Sequence, residues 1–309
     1  MRRTLPALVV TVGLLASLTA CASESGPGSA GCPPTGDAAS VVTATGAFGE
    51  KPEVRVPSPI VTTETQVSTL IEGDGQRIVD GTPVVIDYTL FDGATGAEVE
   101  DSGYDGTTQN PITVGGSALA PLAAALECST VGSRLAVAVK ASELSASVQG
   151  TAVEPNDDPD AAYVAVVDVK RAFLAKADGS LVPGENGLPA VVTAPDGAPG
   201  ITLPASDAPT EQRTHLVRSG SGPELTADDT AVVQFTATTW ADPSTVAAST
   251  WTNGGTATTV ALSADDLPAE VKSALVGQRV GSQVMTVIPA SETTGQQTYV
   301  YVFDVLGAL

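Results

Sequence analysis

The chain is 309 residues long, carries 35 acidic against 14 basic side chains for a formal charge of -21, and is only 4% aromatic. That acidity repels phosphate backbones and anionic headgroups, so nucleic acid is excluded as a partner. One histidine, His215, excludes multi-histidine metal centres and any histidine-dependent triad not built on that residue.

Taken in chain order, Arg2 and Arg3 precede an apolar run from Leu5 to Leu18 that is too short to span a bilayer as a mature helix. Residues 1–20 read as a signal peptide. Leu18, Thr19, Ala20 and Cys21 resemble the bacterial lipobox, whose cysteine is lipidated on sulfur and becomes the new N-terminus. Two or three acyl chains on Cys21 make a lasting anchor, because each buried methylene adds about 0.8 kcal/mol. The expected location is the extracytoplasmic face of the cell membrane, with the lipid as the only membrane partner. Low aromatic content with many Ala, Gly, Thr and Val gives an actinobacterial style of composition.

Residues 21–45, small, polar and rich in Gly and Pro, read as a flexible tether, and 175–198 as a linker in which "LPAVV" has the makings of a local packed segment. Between and beyond them lie two halves, 46–174 and 199–309, that repeat each other. Pro52, Val54, Val56 and Pro57 recur as Pro199, Ile201, Leu203 and Pro204, and Gly73 and Gly75 as Gly220 and Gly222. "VVIDY", ending at Tyr88, recurs as "AVVQF", ending at Phe235, and all three share one offset, 147, the step from 88 to 235. Farther on, "TVGSRLAVAV" from Thr130 is echoed from Arg279, and "YVAVVDV" from Tyr163 by "YVYVFDV", with the offset drifting as loops change length. Each half predicts alternating strands, a turn, a short helix ("LAPLAAALECS"; "SADDLPAEVKSAL"), a Val-Gly turn and two more strands. The class is α+β, an antiparallel sheet packed on one short helix, duplicated.

Cys32 and Cys128, the cysteines left after Cys21, form an even pair in an exported chain and predict a disulfide, the alternative being two unrelated thiols. His215 falls in a strand-like stretch and reads as an exposed strand residue. The acidic run Glu154–Asp160 lacks the glycine-centred spacing of a calcium loop and reads as solvated. No metal and no cofactor are expected.

In this order the motifs resemble the FKBP-type peptidyl-prolyl isomerases. The match runs through Gly73 and Gly75, Ile86 to Tyr88, Asp101 and Ser102, Pro111 and Gly115, Val131 to Arg134, and Val167 to Val169, and the second half closes on "VFDV", Val302 to Val305. The resemblance implies tandem domains over roughly 48–173 and 199–309. It implies an isomerase acting on proline-containing exported polypeptides, as a monomer. Rotation about an X-Pro bond faces a barrier of about 18–20 kcal/mol, which an apolar pocket lowers by taking the proline ring and favouring the twisted amide, with no nucleophile or metal.

Position by position, the resemblance makes Tyr88 a pocket wall, Asp101 the polar group at the pocket edge, and Leu119 the residue whose backbone N–H meets the substrate carbonyl. Leu122 takes the floor, where the family usually has tryptophan, and Ile112 and Val167 stand where it usually has phenylalanines. Glu100 replaces an aromatic. In the second half Phe235 and Phe303 match wall positions, Ala248 stands at the aspartate, and at the helix entrance "DDLPAEV" Leu267 and Val271 stand near the pocket positions. Weak turnover, confined to the first half, is therefore expected, with a non-catalytic binding module or holdase chaperone as the alternative and a structural spacer in envelope assembly as a third reading. Two plainer readings stay open: Tyr88, Phe235 and Phe303 as sheet core, and Asp101 as the head of an Asx turn before "SGYDG". Trp240 and Trp251 read as core or groove.

Overall fold

The computed structural model describes residues 32–106, 111–117, 119–147, 161–242, 244–291 and 295–309, without the side chains of 145–147. Cys21 with its leader and the acidic run Glu154–Asp160 lie outside the described residues. The first half contains α1 (Asp37–Ser40), β1 (Thr43–Thr45), β2 (Glu53–Arg55), β3 (Gln66–Ile71), β4 (Pro83–Asp92), β5 (Glu98–Asp101), β6 (Ile112–Thr113), α2 (Ala120–Ala125), β7 (Arg134–Lys140), α3 (Ala141–Ser147) and β8 (Ala162–Ala172). The second contains β9 (Ser180–Leu181), β10 (Ala190–Thr193), β11 (Pro199–Thr202), β12 (Arg213–Ser219), β13 (Thr230–Thr239), β14 (Val246–Ser249), β15 (Thr258–Ala261), α4 (Ala269–Leu275), β16 (Gln283–Ile288) and β17 (Tyr299–Ala308). The architecture is α+β, with short helices against antiparallel sheets.

The two main sheets have one topology. Order β3-β7-β8-β4-β5, with β6 also on β4, is repeated as β12-β16-β17-β13-β14, with β15 also on β13 and β9 added beside β12. Alternation in β7 and β8 sends Leu135, Val137, Ala165, Val167 and Val169 to the face covered by Leu122 and Leu126 of the α2 region. Ala136, Val164 and Val166 go to the other face. Both faces are buried, which is why these strands are nearly continuous runs of Ala and Val rather than apolar-polar alternations.

What covers the second face corrects the tether and linker. The hairpin β1–β2 lays Ala44 and Val54 over Phe91, Ala136, Val164 and Val166, and β10–β11 lays Val191 and Ile201 over Met285, Val287, Val300 and Val302. The pairs Ala44↔Val54 and Val191↔Ile201 stand at the same offset of 147, the step from 44 to 191. Residues 32–45 and 177–193 therefore belong to the folded body. Polar, Gly- and Pro-rich sequence is held in place there by partners distant in sequence. In the first half Arg134, fully buried, makes a bidentate pair with Asp168 (Nε–Oδ1 2.6 Å, Nη2–Oδ2 2.8 Å) and donates to the carbonyls of Gly46, Ala47 and Glu50, while Gly49 N–H donates to Asp168. In the second half Gln283 stands for the arginine and donates to Asp304 at 2.7 Å, and Ala177 N–H donates to the same carboxylate. Desolvation, outweighing these two donors, raises the Asp304 carboxyl above its ordinary range.

Cys32 and Cys128 are bonded, with Cα atoms 5.6 Å apart, clipping the chain ahead of α1 to the turn after α2. His215 is a half-buried β12 residue whose ring contacts the Pro183 carbonyl. Trp240 packs in the layer beneath β10–β11. Trp251 lies against Gly197. The halves meet through Val85, Phe173 and Leu174 of the first and Val232, Ala257, Leu306 and Leu309 of the second. Among the described residues no helix is long and apolar enough to cross a membrane.

Candidate functional site

The first-half site is built on the helix-covered face of β4 and β8. Tyr88 sits opposite Val167 in the ladder, and Ile112 of β6 opposite Val84. Tyr88, Ile112 and Leu119, each partly buried, pack on the cluster that contains Leu122 and Val167. Five of the residues singled out in sequence are thus brought to one apolar surface. Leu122 and Val167, 4% and 0% exposed, are its floor and belong to the core. Tyr88, Ile112 and Leu119 keep accessible surface and are the side chains able to touch a ligand.

Asp101 is not the partner of Tyr88. Its Oδ2 pairs with Lys51 Nζ at 2.6 Å and its Oδ1 accepts the Gly103 N–H at 2.6 Å, which is the Asx turn. The Lys51 hydrogen bond, then that of Gly103, holds its carboxyl below the usual carboxylate range. Asp101 pairs with Thr89 and Glu100 with Leu90, so alternation sends Glu100 to the Leu90 side of the sheet. There Glu100 Oε1 accepts the Tyr88 hydroxyl at 2.8 Å. Burial first, and this carboxylate second, push the phenol pKa far up, so the hydroxyl remains protonated and pinned. That position 100 carries a carboxylate rather than an aromatic was visible in sequence; that it would accept the Tyr88 hydroxyl was not.

Leu119 caps the N-terminus of α2 in a left-handed conformation (φ 50°, ψ 38°). A side chain with a branched γ-carbon rarely adopts that region, so the surrounding structure must impose it. Its carbonyl accepts the Ala123 N–H at 2.8 Å, and among the described residues its own N–H has no acceptor. Pro121 adds a second helix-start signal. The site therefore presents an apolar face, one fixed hydroxyl and, at the first turn of α2, the N–H groups that a helix start leaves without an intrahelical acceptor.

In the second half the register replaces two sequence assignments. Thr236 pairs with Ser249 as Thr89 does with Asp101, so Ser249, not Ala248, stands at the aspartate, and Ala248 matches Glu100. Thr250 exchanges bonds with the Phe235 backbone as Ser102 does with Tyr88. The hydroxyl–carboxylate pair Tyr88–Glu100 has become the apolar pair Phe235–Ala248. The residue at the Leu119 position is Pro268, the N-cap of α4, rather than Leu267, and it has no N–H. Leu267 and Val271 pack on the second-half core. Phe235 and Phe303, opposite each other in the ladder, have ring centroids 5.9 Å apart, and Tyr301 stacks on Phe303 at 5.6 Å. Tyr301 was not singled out in sequence, although "YVYVFDV" against "YVAVVDV" carries the signal. Beside Phe235 a groove of about 690 Å³ runs along Val246–Thr250 and Thr256–Thr258. No group of three or more His, Cys, Asp or Glu side chains suited to a metal occurs among the described residues.

No protein-family model matches the chain, and no curated protein matches it. Among solved structures it is similar to the three FKBP domains of wheat FKBP73, at 15% identity and TM-score 0.33 over 79% of this chain and 94% of that one. It is also similar to the N-terminal domain of FKBP42 from Arabidopsis thaliana, at 21% and 0.31 over 40% and 97%. FkpA from Escherichia coli aligns at 20% and 0.29 over 40% and 53%.

Proposed function

We propose that the protein is an FKBP-type peptidyl-prolyl isomerase for exported polypeptides, tethered through lipidated Cys21 to the extracytoplasmic face of the membrane, with turnover in the first half. The observation that carries this reading is the apolar cluster of Tyr88, Ile112, Leu122 and Val167 on which Leu119 packs, with the Leu119 N–H lacking an acceptor among the described residues. The donor fixes the substrate carbonyl, and the surface takes the proline ring and strips water from the amide, which favours the twisted form. The second half has Pro268 and Phe235 in place of the donor and the hydroxyl, while its rings at Phe235, Tyr301 and Phe303 suit apolar contact. It is read as a binding module without turnover.

The test is isomerisation of a short Ala-Leu-Pro-type peptide by the intact protein and by Tyr88→Ala. A fall in kcat/KM of about tenfold or more, corresponding to roughly 1.4 kcal/mol of lost transition-state stabilisation, is expected. Peptide binding without any rate above the uncatalysed reaction transfers the first half to the binding-module class as well. For the anchor, mass spectrometry of the mature N-terminus should find acylated Cys21, and an unacylated N-terminus elsewhere removes it.

A further inference from the structure

The entrance to α2 lacks a cap of its own. Leu119 makes no side-chain capping bond, the helix is six residues long, and its N-cap residue is held in a left-handed conformation. Something outside the helix must fix the chain that delivers Leu119: within the first half Val114 N–H donates to the Thr82 carbonyl at 3.0 Å and Gly81 N–H to the Val114 carbonyl at 2.9 Å, and further contacts on either side of Val114 come from the second half. Ser117 N–H donates to the Gly254 carbonyl at 3.0 Å. Ala257 N–H donates to Thr113 Oγ1 at 2.9 Å, both groups being buried. Between them the glycine backbones press on side chains of the other half: a Cβ added to Gly116 would lie 2.8 Å from Thr256 Oγ1, and one added to Gly254, which has φ +74°, would run into the Ser117 side chain. Thr113 also turns the chain, its carbonyl accepting the Gly116 N–H at 2.9 Å.

We infer that the loop Gly254–Ala257 of the second half is a positioning element for the first-half site, holding Thr113–Ser117 so that the Leu119 N–H is set for a ligand. The segment it grips leads directly into the site: Ile112 is the residue before Thr113, and Leu119 lies two after Ser117. Two hydrogen bonds and two glycine contacts from the second half add to the bonds that Val114 makes with Thr82 and Gly81, and together they leave this stretch of five residues little freedom. The second half then has a role in turnover without a competent site of its own. Thr113 is the positioning residue that the first half contributes.

This rests on the isomerase reading for its functional consequence, so the experiment has an arm independent of activity. In the intact protein, Thr113→Val removes the acceptor at constant shape, and Thr113→Ser retains it. Amide exchange at Ala123, whose N–H reports the Leu119 turn, should accelerate about tenfold in Thr113→Val, the scale of one net hydrogen bond. It should return toward wild type in Thr113→Ser, with Val137 in β7 unchanged throughout. The value of kcat/KM should fall and recover in parallel. Unchanged Ala123 exchange in Thr113→Val overturns the inference, and so does accelerated exchange with unaltered kcat/KM. If wild-type protein has no isomerase activity, the isomerase reading fails while the exchange arm still decides the clamp. Should Thr113→Val not fold, Gly254→Ala perturbs the same contact from an exposed position, and the same exchange criterion applies.

Discussion

Tyr88 and Phe235 occupy equivalent ladder positions and differ by one oxygen, and the residue beside each has changed to suit: Glu100 where there is a hydroxyl to accept, Ala248 where there is none. If Glu100 rather than Asp101 serves the Tyr88 hydroxyl, Glu100→Ala should lower isomerase kcat/KM by several-fold, roughly 1 kcal/mol for one hydrogen bond, and Asp101→Asn should leave it near wild type. The reverse ranking would restore the role that the resemblance assigns to Asp101. Asp101 should instead contribute to stability in acid. Its folded carboxyl pKa is lowered from 3.8, so its contribution is present above that value and lost as pH falls through the lower folded one. Urea midpoints measured from about pH 5 down to about pH 2 should fall less steeply in Asp101→Asn. Asp304 has the opposite sign: its contribution is full below 3.8 and lost as pH rises through its raised folded pKa. Arg134 and Asp168 form a buried pair with further partners, so Arg134→Met, which strands the carboxylate, should cost about 3–5 kcal/mol in chemical denaturation. A loss below about 1 kcal/mol would mean the network relaxes around the gap.

At the scale of elements, the repeat was legible wherever local sequence dictates geometry. Gly73 and Gly220 recur because a Cβ on either would strike the Val131 or Val280 carbonyl behind it, and Gly75 and Gly222 press on the Val131 and Val280 side chains in the same way. Strands β4 and β13 share bounds at an offset of 147, the step from 83 to 230. Of the hairpins β1–β2 and β10–β11, the repeat marks Val54 and Ile201 and "LPAVV" marks β10, but β1 falls in the stretch read as a tether, because three- and four-residue strands in Gly- and Pro-rich sequence have no periodicity to read. Their order comes from Arg134 reaching carbonyls at 46, 47 and 50, and from packing on the far face of each sheet. The site was legible as a set of residue types but not in its register. A bulge between Leu90 and Phe91 shifts β5, and which of Glu100 and Asp101 faces the helix depends on that shift. The disulfide belongs to this scale too, since it ties the start of the folded body to the turn after α2. Reduction should free two thiols and destabilise the protein by about 2–4 kcal/mol. Thiols that react with alkylating reagent in the native, unreduced protein contradict the bond.

At the scale of the whole molecule, duplication has brought equivalent positions together. Val85 and Val232, separated by the repeat offset of 147, lie in one buried cluster between the halves. That cluster closes over Phe173, whose ring occupies the space a side chain at position 307 would need; Gly307 admits it, and Leu174 N–H donates to the Leu306 carbonyl alongside at 3.2 Å. Gly307 has no positive φ, so a larger residue there is tolerated by the backbone, and the nearest atoms a Cβ would meet are those of the Phe173 ring, the closest at 2.2 Å. Gly307→Val should therefore expel Phe173 from the interface, costing about 1–3 kcal/mol by overpacking, while each sheet keeps its own core. The consequence to measure is coupling. Both tryptophans, Trp240 and Trp251, lie in the second half, so indole fluorescence follows that half, and thiol release from Cys32–Cys128 under mild reductant follows the first. With the interface intact the two probes should report one urea transition. In Gly307→Val the transitions should separate, and Ala123 exchange should accelerate as well, because Ala257, whose N–H holds Thr113, belongs to the same cluster. Coincident, unshifted transitions in the variant would show that the halves are joined by something other than the Phe173 contact.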